Sequence, residues 1–188
     1  DYAISPDSAR VVYSADQDTR NVIEFYSAPL AGSTGPVKLN GPVVENGDLD
    51  RFIISPDGSR VVYSGDQDSD ETKELYSVPI DGSAAPIKLN GPLPPNSDIF
   101  NFGISPDSQY VVYIGDQDTA DLPELFRVPI GGGEPGKLND TLVAGGSVYS
   151  FKISPDSAFV GKLGEQDTDN VTEVYAAPID DTVASSQK

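Results

Sequence analysis

The sequence predicts an all-β protein built from four copies of one structural unit. The motif Ile-Ser-Pro-Asp recurs at intervals of 50, 50 and 49 residues, beginning at Ile4, Ile54, Ile104 and Ile153. Each copy contains short segments rich in Val, Ile, Tyr and Phe, separated by Pro, Gly, Asp and Ser, a composition typical of strands and turns. A fixed period of this length indicates supersecondary units that bury their apolar faces against their neighbours.

The second copy shows the elements of one unit most clearly. Its strands are predicted at 51–55, 60–64, 74–80 and 86–90. The first two are joined by Pro56-Asp57-Gly58, in which Pro presets φ, Asp bonds the local backbone and Gly tolerates an unusual φ. The next connection, 65–73, is longer and acidic, and no segment supports a helix of about ten residues.

Four antiparallel strands at this spacing predict the blades of a β-propeller. A β-sandwich is the competing architecture, but it does not require near-identical strands every 50 residues. We therefore expect a single β-propeller domain covering residues 1–188, with blades at approximately 1–49, 50–99, 100–148 and 149–188.

The repeated string also resembles a known family. Ile54-Ser-Pro-Asp-Gly-Ser-Arg-Val-Val-Tyr-Ser, followed by an acidic turn, Glu74-Leu-Tyr-Ser-Val-Pro-Ile-Asp-Gly and Lys88-Leu-Asn, is similar to the WD40-like (PD40), or TolB-like, β-propeller repeat. All four copies match, although Ile stands where that family often has Trp. Such blades occur in periplasmic translocation proteins, in the propellers of serine peptidases and in surface or scaffold proteins, so the resemblance implies a fold more than an activity.

The charge of the chain restricts its partners. Twelve basic residues stand against 30 acidic ones, a formal net charge of -18, so nucleic acids and anionic membranes are repelled. Cations, basic proteins and neutral glycans remain as partner classes. No run of about 18 apolar residues is present, so no membrane span is expected. The chain begins at Asp1 rather than Met, which indicates a processed product or an excerpt.

Composition also argues against catalysis. The sequence contains no His and no Cys, so a Ser-His-Asp triad, a thiol nucleophile and a His-based zinc site cannot be built within this chain. A glycosidase-type pair needs one acid and one base in unlike environments, whereas four near-equal copies supply the opposite. We therefore expect that the chain is not an enzyme and requires no cofactor.

The acidic turn is the candidate for a ligand site. In each copy an Asp-Gln-Asp or Glu-Gln-Asp triplet precedes a Glu that opens the next strand, and calcium prefers several such oxygens. The candidate calcium ligands are Asp16, Asp18, Glu24, Asp66, Asp68, Glu74, Asp116, Asp118, Glu124, Glu165, Asp167 and Glu173. The alternative is structural, because Asp in a turn commonly bonds nearby backbone amides.

The last copy stops inside its fourth predicted strand, near the position of Lys88 in the second copy. This phase predicts a small four-bladed ring, an open arc that joins a larger assembly, or an excerpt of a longer propeller. The expected function is that of a non-enzymatic extracellular or periplasmic module, acting as an interaction scaffold or as a structural subunit that self-associates. The alternatives are a calcium-dependent or glycan-binding propeller and the propeller portion of a larger hydrolase.

Overall fold

A computed structural model describes residues 1–32 and 34–180. In these ranges the regular elements are 15 β-strands, arranged in four antiparallel sheets, and there is no helix. The all-β prediction is confirmed. Each sheet corresponds to one copy of the sequence repeat, and its strands are adjacent in chain order.

The strands of the first two sheets follow one pattern. The first sheet contains β1 (Tyr2–Ile4), β2 (Arg10–Ala15), β3 (Glu24–Pro29) and β4 (Val37–Lys38). The second contains β5 (Leu49–Ile54), β6 (Arg60–Gly65), β7 (Glu74–Pro79) and β8 (Ile87–Lys88). The fourth strand of the second copy, predicted at 86–90, is thus only two residues long.

The other two sheets repeat the pattern. The third contains β9 (Ile99–Ile104), β10 (Tyr110–Gly115), β11 (Glu124–Pro129) and β12 (Gly136–Lys137). The fourth contains β13 (Val148–Ile153), β14 (Phe159–Gly164) and β15 (Glu173–Pro178). Four strands per sheet are confirmed for the first three copies, and the predicted fourth strand of the last copy lies outside the described residues.

The Ser-Pro-Asp turn explains why the first two strands of each sheet fold back on each other. In the second copy, the Gly58 amide donates to the Ser55 carbonyl at 2.8 Å, and Gly58 has a φ of 73°. The Ser55 hydroxyl donates to Asp57 Oδ1 at 2.6 Å and accepts from the Arg60 amide at 2.9 Å. The Ser55 side chain thus connects the turn to the first residue of the second strand.

Each sheet has two faces of different composition. Residues that pair across strands point to the same side, so Val12 and Phe25 lie on one face, while Val11, Tyr13 and Tyr26 lie on the other. We call the side of Val12 the front face of the first sheet, and the opposite side its back face. The same names apply to the equivalent positions of the other sheets.

Packing joins the sheets in pairs, front face to back face. The front residues Val12, Phe25 and Leu39 of the first sheet form one buried cluster with Val61 and Tyr63 from the back of the second. The third and fourth sheets pack equivalently, in a cluster that comprises Val112, Ile114, Leu125, Leu138, Val148, Val160, Ala177 and Ile179. Each contact of this kind buries the alternate residues that point toward the partner sheet.

The chain divides into two compact units, one of residues 1–88 and one that begins at residue 89. The first contains the first and second sheets, and the second contains the third and fourth. The interpretation of the chain as one domain stays a prediction.

Candidate functional site

The acidic turns connect the second and third strands of each sheet. In the second sheet, β6 ends at Gly65, the turn follows, and Glu74 opens β7 directly opposite Gly65. Because Glu74 pairs with Gly65, the chain re-enters the sheet beside the residue at which it left. The carboxylates of the turn therefore lie close to Glu74. The other three sheets have the same connection.

The first carboxylate of each turn is directed at backbone amides. Asp116 Oδ1 accepts from the Asp98 amide at 2.6 Å, and Asp116 Oδ2 accepts from the Asp121 amide at 3.0 Å. The residue that receives the second bond has a left-handed backbone, with φ values of 64°, 58°, 62° and 60° at Asn21, Glu71, Asp121 and Asn170. The bond helps to hold a conformation that non-glycine residues seldom adopt.

The remaining copies of this first carboxylate behave alike. The Oδ2 atoms of Asp16 and Asp66 each accept a backbone amide at 3.2 Å. Glu165 Oε2 accepts the Asn170 amide at 3.2 Å, and its other oxygen accepts the hydroxyl of Tyr149. The structural alternative predicted from the sequence thus describes these four carboxylates.

The glutamine of the turn links two neighbouring sheets. Gln67 Oε1 accepts the Tyr63 hydroxyl at 2.7 Å and the Gly41 amide at 2.8 Å. Gly41 belongs to the segment that leaves the first sheet, and a Cβ atom there would lie 3.1 Å from Gln67 Nε2. Glycine therefore permits this close approach. The third sheet repeats the arrangement with Gln117, Tyr113 and Gly91.

The second aspartate and the glutamate are joined by a lysine from the fourth strand. Lys38 Nζ lies 3.0 Å from Asp18 Oδ2 and 2.8 Å from Glu24 Oε1. Lys88 bridges Asp68 and Glu74 in the second sheet, and Lys137 bridges Asp118 and Glu124 in the third. We call this arrangement the lysine clamp. It is built around a buried glutamate, while the lysine and the aspartate are partly exposed.

Further side chains complete the clamp. The Tyr26 hydroxyl donates to Glu24 Oε2 at 3.0 Å, and Asn40 Oδ1 accepts the Phe25 amide at 2.8 Å. In the third sheet, where Phe126 replaces the tyrosine, Lys137 Nζ bonds both oxygens of its glutamate, at 2.8 and 2.9 Å. Every glutamate of the clamp thus has several donors, as a buried carboxylate requires.

Electrostatics favour the charged form of the clamp lysines and of Asp18. Hydrogen bonds to Glu24 and Asp18 raise the pKa of Lys38, and the bond from Lys38 lowers the pKa of Asp18. For Lys88 and Lys137, burial acts against the charged amine, but hydrogen bonds with the two carboxylates outweigh it and raise the pKa. A protonated ammonium is neither a nucleophile nor a base, so the clamp offers a bound cation rather than a reactive group.

The geometry bears on the predicted calcium ligands. Two of the three candidate carboxylates in each of the first three copies meet, and an ammonium group lies between them. The third is engaged with the backbone. Across residues 1–32 and 34–180, no group of three or more acidic side chains is arranged to hold a metal ion. Calcium binding stays a prediction from the sequence.

The fourth sheet departs from the common pattern. Lys162 stands where the other sheets have Tyr13, Tyr63 and Tyr113. Its Nζ donates to Gln166 Oε1 at 2.7 Å and lies 5.4 Å from the centre of the Tyr175 ring. Asp140 stands where the other copies have Gly41 and Gly91, and Gln166 Nε2 lies 3.5 Å from Asp140 Oδ2.

These two replacements compensate one another. Burial lowers the pKa of Lys162 to about 8, and the nearby charges of Asp140, Asp167 and Glu124 act in the opposite direction. A lysine that is only 2% exposed costs free energy when charged, and a carboxylate nearby reduces that cost. The remaining candidate of this copy, Glu173, accepts the Tyr175 hydroxyl.

Sequence reasoning missed the lysines, the glutamines and the buried Lys162. Three signals were available in the repeat: a Lys-Leu-Asn string in the first three copies, a Gln at the centre of all four turns, and the single replacement of Tyr by Lys. The glutamines bond side chains only four residues away, whereas the clamp lysines bond glutamates 13 or 14 residues away. Alignment of the copies was therefore needed to find the lysines.

Comparisons with known proteins place the fold. No family model matches the sequence, and no curated protein matches it. Among solved structures, a protein described as TolB from Agrobacterium tumefaciens is similar over 99% of this chain and 63% of its own, with a TM-score of 0.59 and 20% identity. Tricorn protease is similar over 91% of this chain and 17% of its own, with a TM-score of 0.63 and 14% identity.

A third similar structure, from a study of two prolyl endopeptidases, covers 95% of this chain and 26% of its own, with a TM-score of 0.63 and 12% identity. The chain therefore spans less than two thirds of the length of each of these proteins. The described residues contain no helix that is long and apolar enough to cross a membrane. The four sheets are blades, and the chain has the β-propeller fold of TolB-like proteins and of peptidase propeller domains.

Proposed function

We propose that this chain is a non-enzymatic extracellular or periplasmic propeller module, which works as an interaction scaffold or as a structural subunit of a larger assembly. The observation that carries the proposal is the use of the acidic turns. Their carboxylates bond lysines, tyrosines and backbone amides within the blades. The polar groups that recur in every copy thus support the fold, and the blade faces remain as the surface for partners.

Exposed apolar residues support the same proposal. Four apolar side chains on the first and last blades are each more than half exposed: Tyr2, Ile4, Phe159 and Val174. At the equivalent strand positions, Phe52 and Phe25 are buried. Large apolar groups that share one exposed face typically mark an interaction surface. The net charge of -18 keeps such a surface from binding other acidic molecules indiscriminately.

The test is the mass in solution, measured by light scattering after size exclusion over a wide range of protein concentrations. A structural subunit gives masses that rise above the 19.9 kDa of one chain. A mass that stays at one chain, even in concentrated solution, contradicts the self-associating form of the proposal.

A second candidate function is the propeller portion of a larger hydrolase. The similarity to tricorn protease and to prolyl endopeptidase favours it, since this chain spans only 17% and 26% of those structures. In that case the chain contributes walls or gating surfaces and the reacting groups lie in another domain. The genomic reading frame tests it, because a hydrolase domain must be encoded beside the repeat.

A further inference from the structure

The front face of the fourth blade is open, whereas the same face of the first and third blades is covered by the next blade. It consists of Phe159, Gly161 and Leu163 on β14, which pair directly with Pro178, Ala176 and Val174 on β15. Val174 is 64% exposed, whereas its equivalent in the first blade, Phe25, is 2% exposed. A groove with a volume of 210 Å³ runs along this face beside Leu163 and Val174.

The back face of the first blade is open in a complementary way. It consists of Tyr2, Ile4, Val11, Tyr13 and Ala28, which share one side of β1, β2 and β3. Tyr2 is 75% exposed, whereas its equivalent in the second blade, Phe52, is 9% exposed.

The contact between the first and second blades shows what such faces bind. There, the Phe25 ring on a front face meets two rings of a back face, with centroids 5.2 Å from Phe52 and 5.6 Å from Tyr63, both edge to face. Aromatic pairs of this geometry add to the free energy of the buried area. A front face is therefore covered by a back face that presents rings and branched aliphatic side chains.

The back face of the first blade has the required residues at the required positions. It matches the buried back face of the second blade as Tyr2 for Phe52, Ile4 for Ile54, Val11 for Val61, Tyr13 for Tyr63 and Ala28 for Val78. We propose that the front face of the fourth blade binds the back face of the first blade of a second copy of this chain, head to tail. This inference rests on the proposed function and names its partner.

The geometry of this contact has consequences for assembly. The two faces are different surfaces, so a bound pair still has one free face of each kind, and the contact is heterologous. Such contacts produce rings when the rotation closes and filaments when it does not. Because each copy carries a charge of -18, added salt should strengthen the association by screening the repulsion.

The experiment uses two variants that each block one face. Val174→Asp places a charge on the front face, and Ile4→Asp places one on the back face. The matched controls are Val171→Asp and Ile23→Asp, since both residues are exposed and apolar but lie in turns outside the strands of these faces. Ala176→Glu is a second front-face variant, and circular dichroism confirms that each protein is folded.

Sedimentation velocity then gives the outcome. We expect the wild type and the two controls to associate, and each face variant alone to sediment as one chain. An equal mixture of Val174→Asp and Ile4→Asp should form pairs and nothing larger, because one variant keeps its back face and the other its front face.

Three results would overturn the inference. If the face variants associate as the controls do, the contact lies elsewhere, and the scaffold proposal stands without it. If only one face variant loses association, the contact joins two like faces. If the wild type is a single chain at every concentration, the inference and the self-associating form of the proposed function both fail.

Discussion

Replacing Lys162 by tyrosine should stabilise the protein. Lys162 is buried, and its pKa falls from the ordinary 10.5 to about 8, so keeping it protonated in the folded state is unfavourable. Each pKa unit corresponds to about 1.4 kcal/mol, so the penalty at neutral pH is about 3 kcal/mol. Tyrosine removes this charge and restores the hydroxyl bond to the turn glutamine that Tyr63 makes at 2.7 Å.

The sign of the pH dependence follows from the same shift. Since the folded-state pKa is below the unfolded one, the unfolded chain binds more protons between about pH 8 and pH 10.5. The stability of the wild type should therefore rise with pH through this window. Lys162→Met serves as a control, because it also removes the ammonium but supplies neither a ring nor a hydroxyl.

The assay is urea unfolding followed by far-ultraviolet circular dichroism, at pH 7 and at pH 9.5, in dilute protein. We expect Lys162→Tyr to exceed the wild type by up to about 3 kcal/mol at pH 7 and by less at pH 9.5. A variant that is less stable than the wild type at pH 7 refutes the reasoning. So does an advantage over the wild type that is equal at both pH values.

Three further predictions test the structural role of the turns, and two of them have a matched control variant. Lys88→Met should lower stability by about 3 kcal/mol at neutral pH, because it leaves the buried carboxylate of Glu74 without its cation. The control Lys73→Met should change stability by less than about 0.5 kcal/mol, since the pair of Lys73 and Asp50 is exposed. Equal losses in the two variants would contradict the clamp. Gly41→Ala should cost about 1 kcal/mol because its Cβ atom meets the turn glutamine, while Gly35→Ala meets no atom within 4 Å and should be tolerated. Equal unfolding midpoints for these two would remove the argument for the inter-blade bond. Ser8→Gly should gain about 0.5 kcal/mol, because Ser8 has a φ of 57°, and a lower melting temperature would contradict it.

The sequence predicted the parts of this fold that depend on local chemistry. The recurrence of Ile-Ser-Pro-Asp located the hairpins, since Ser55 and Asp57 make their bonds within five residues. The strands β6 and β7 were also predictable, because their Val, Leu and Tyr residues suit a sheet that is buried on both faces. The fourth strand was predicted too long, because only two of its five predicted residues pair with the third strand.

The clamp could not be predicted, because its members come together only through pairing. Lys88 lies 14 residues beyond Glu74, and the register that places Lys88 opposite Tyr76 brings the amine over the carboxylate. A pattern of acidic residues alone indicates that a cation neutralises them. What the pattern leaves open is whether that cation is a metal ion or an amine from the next strand.

The melting temperature in calcium tests most directly the central claim, that the acidic turns are structural clamps. It is measured by calorimetry in millimolar calcium chloride and again in a chelator, at matched ionic strength. We expect the same melting temperature in both solutions, because lysine ammonium groups already lie between the carboxylates. A rise in calcium, with heat of binding in a titration, would contradict it and establish the turns as metal sites.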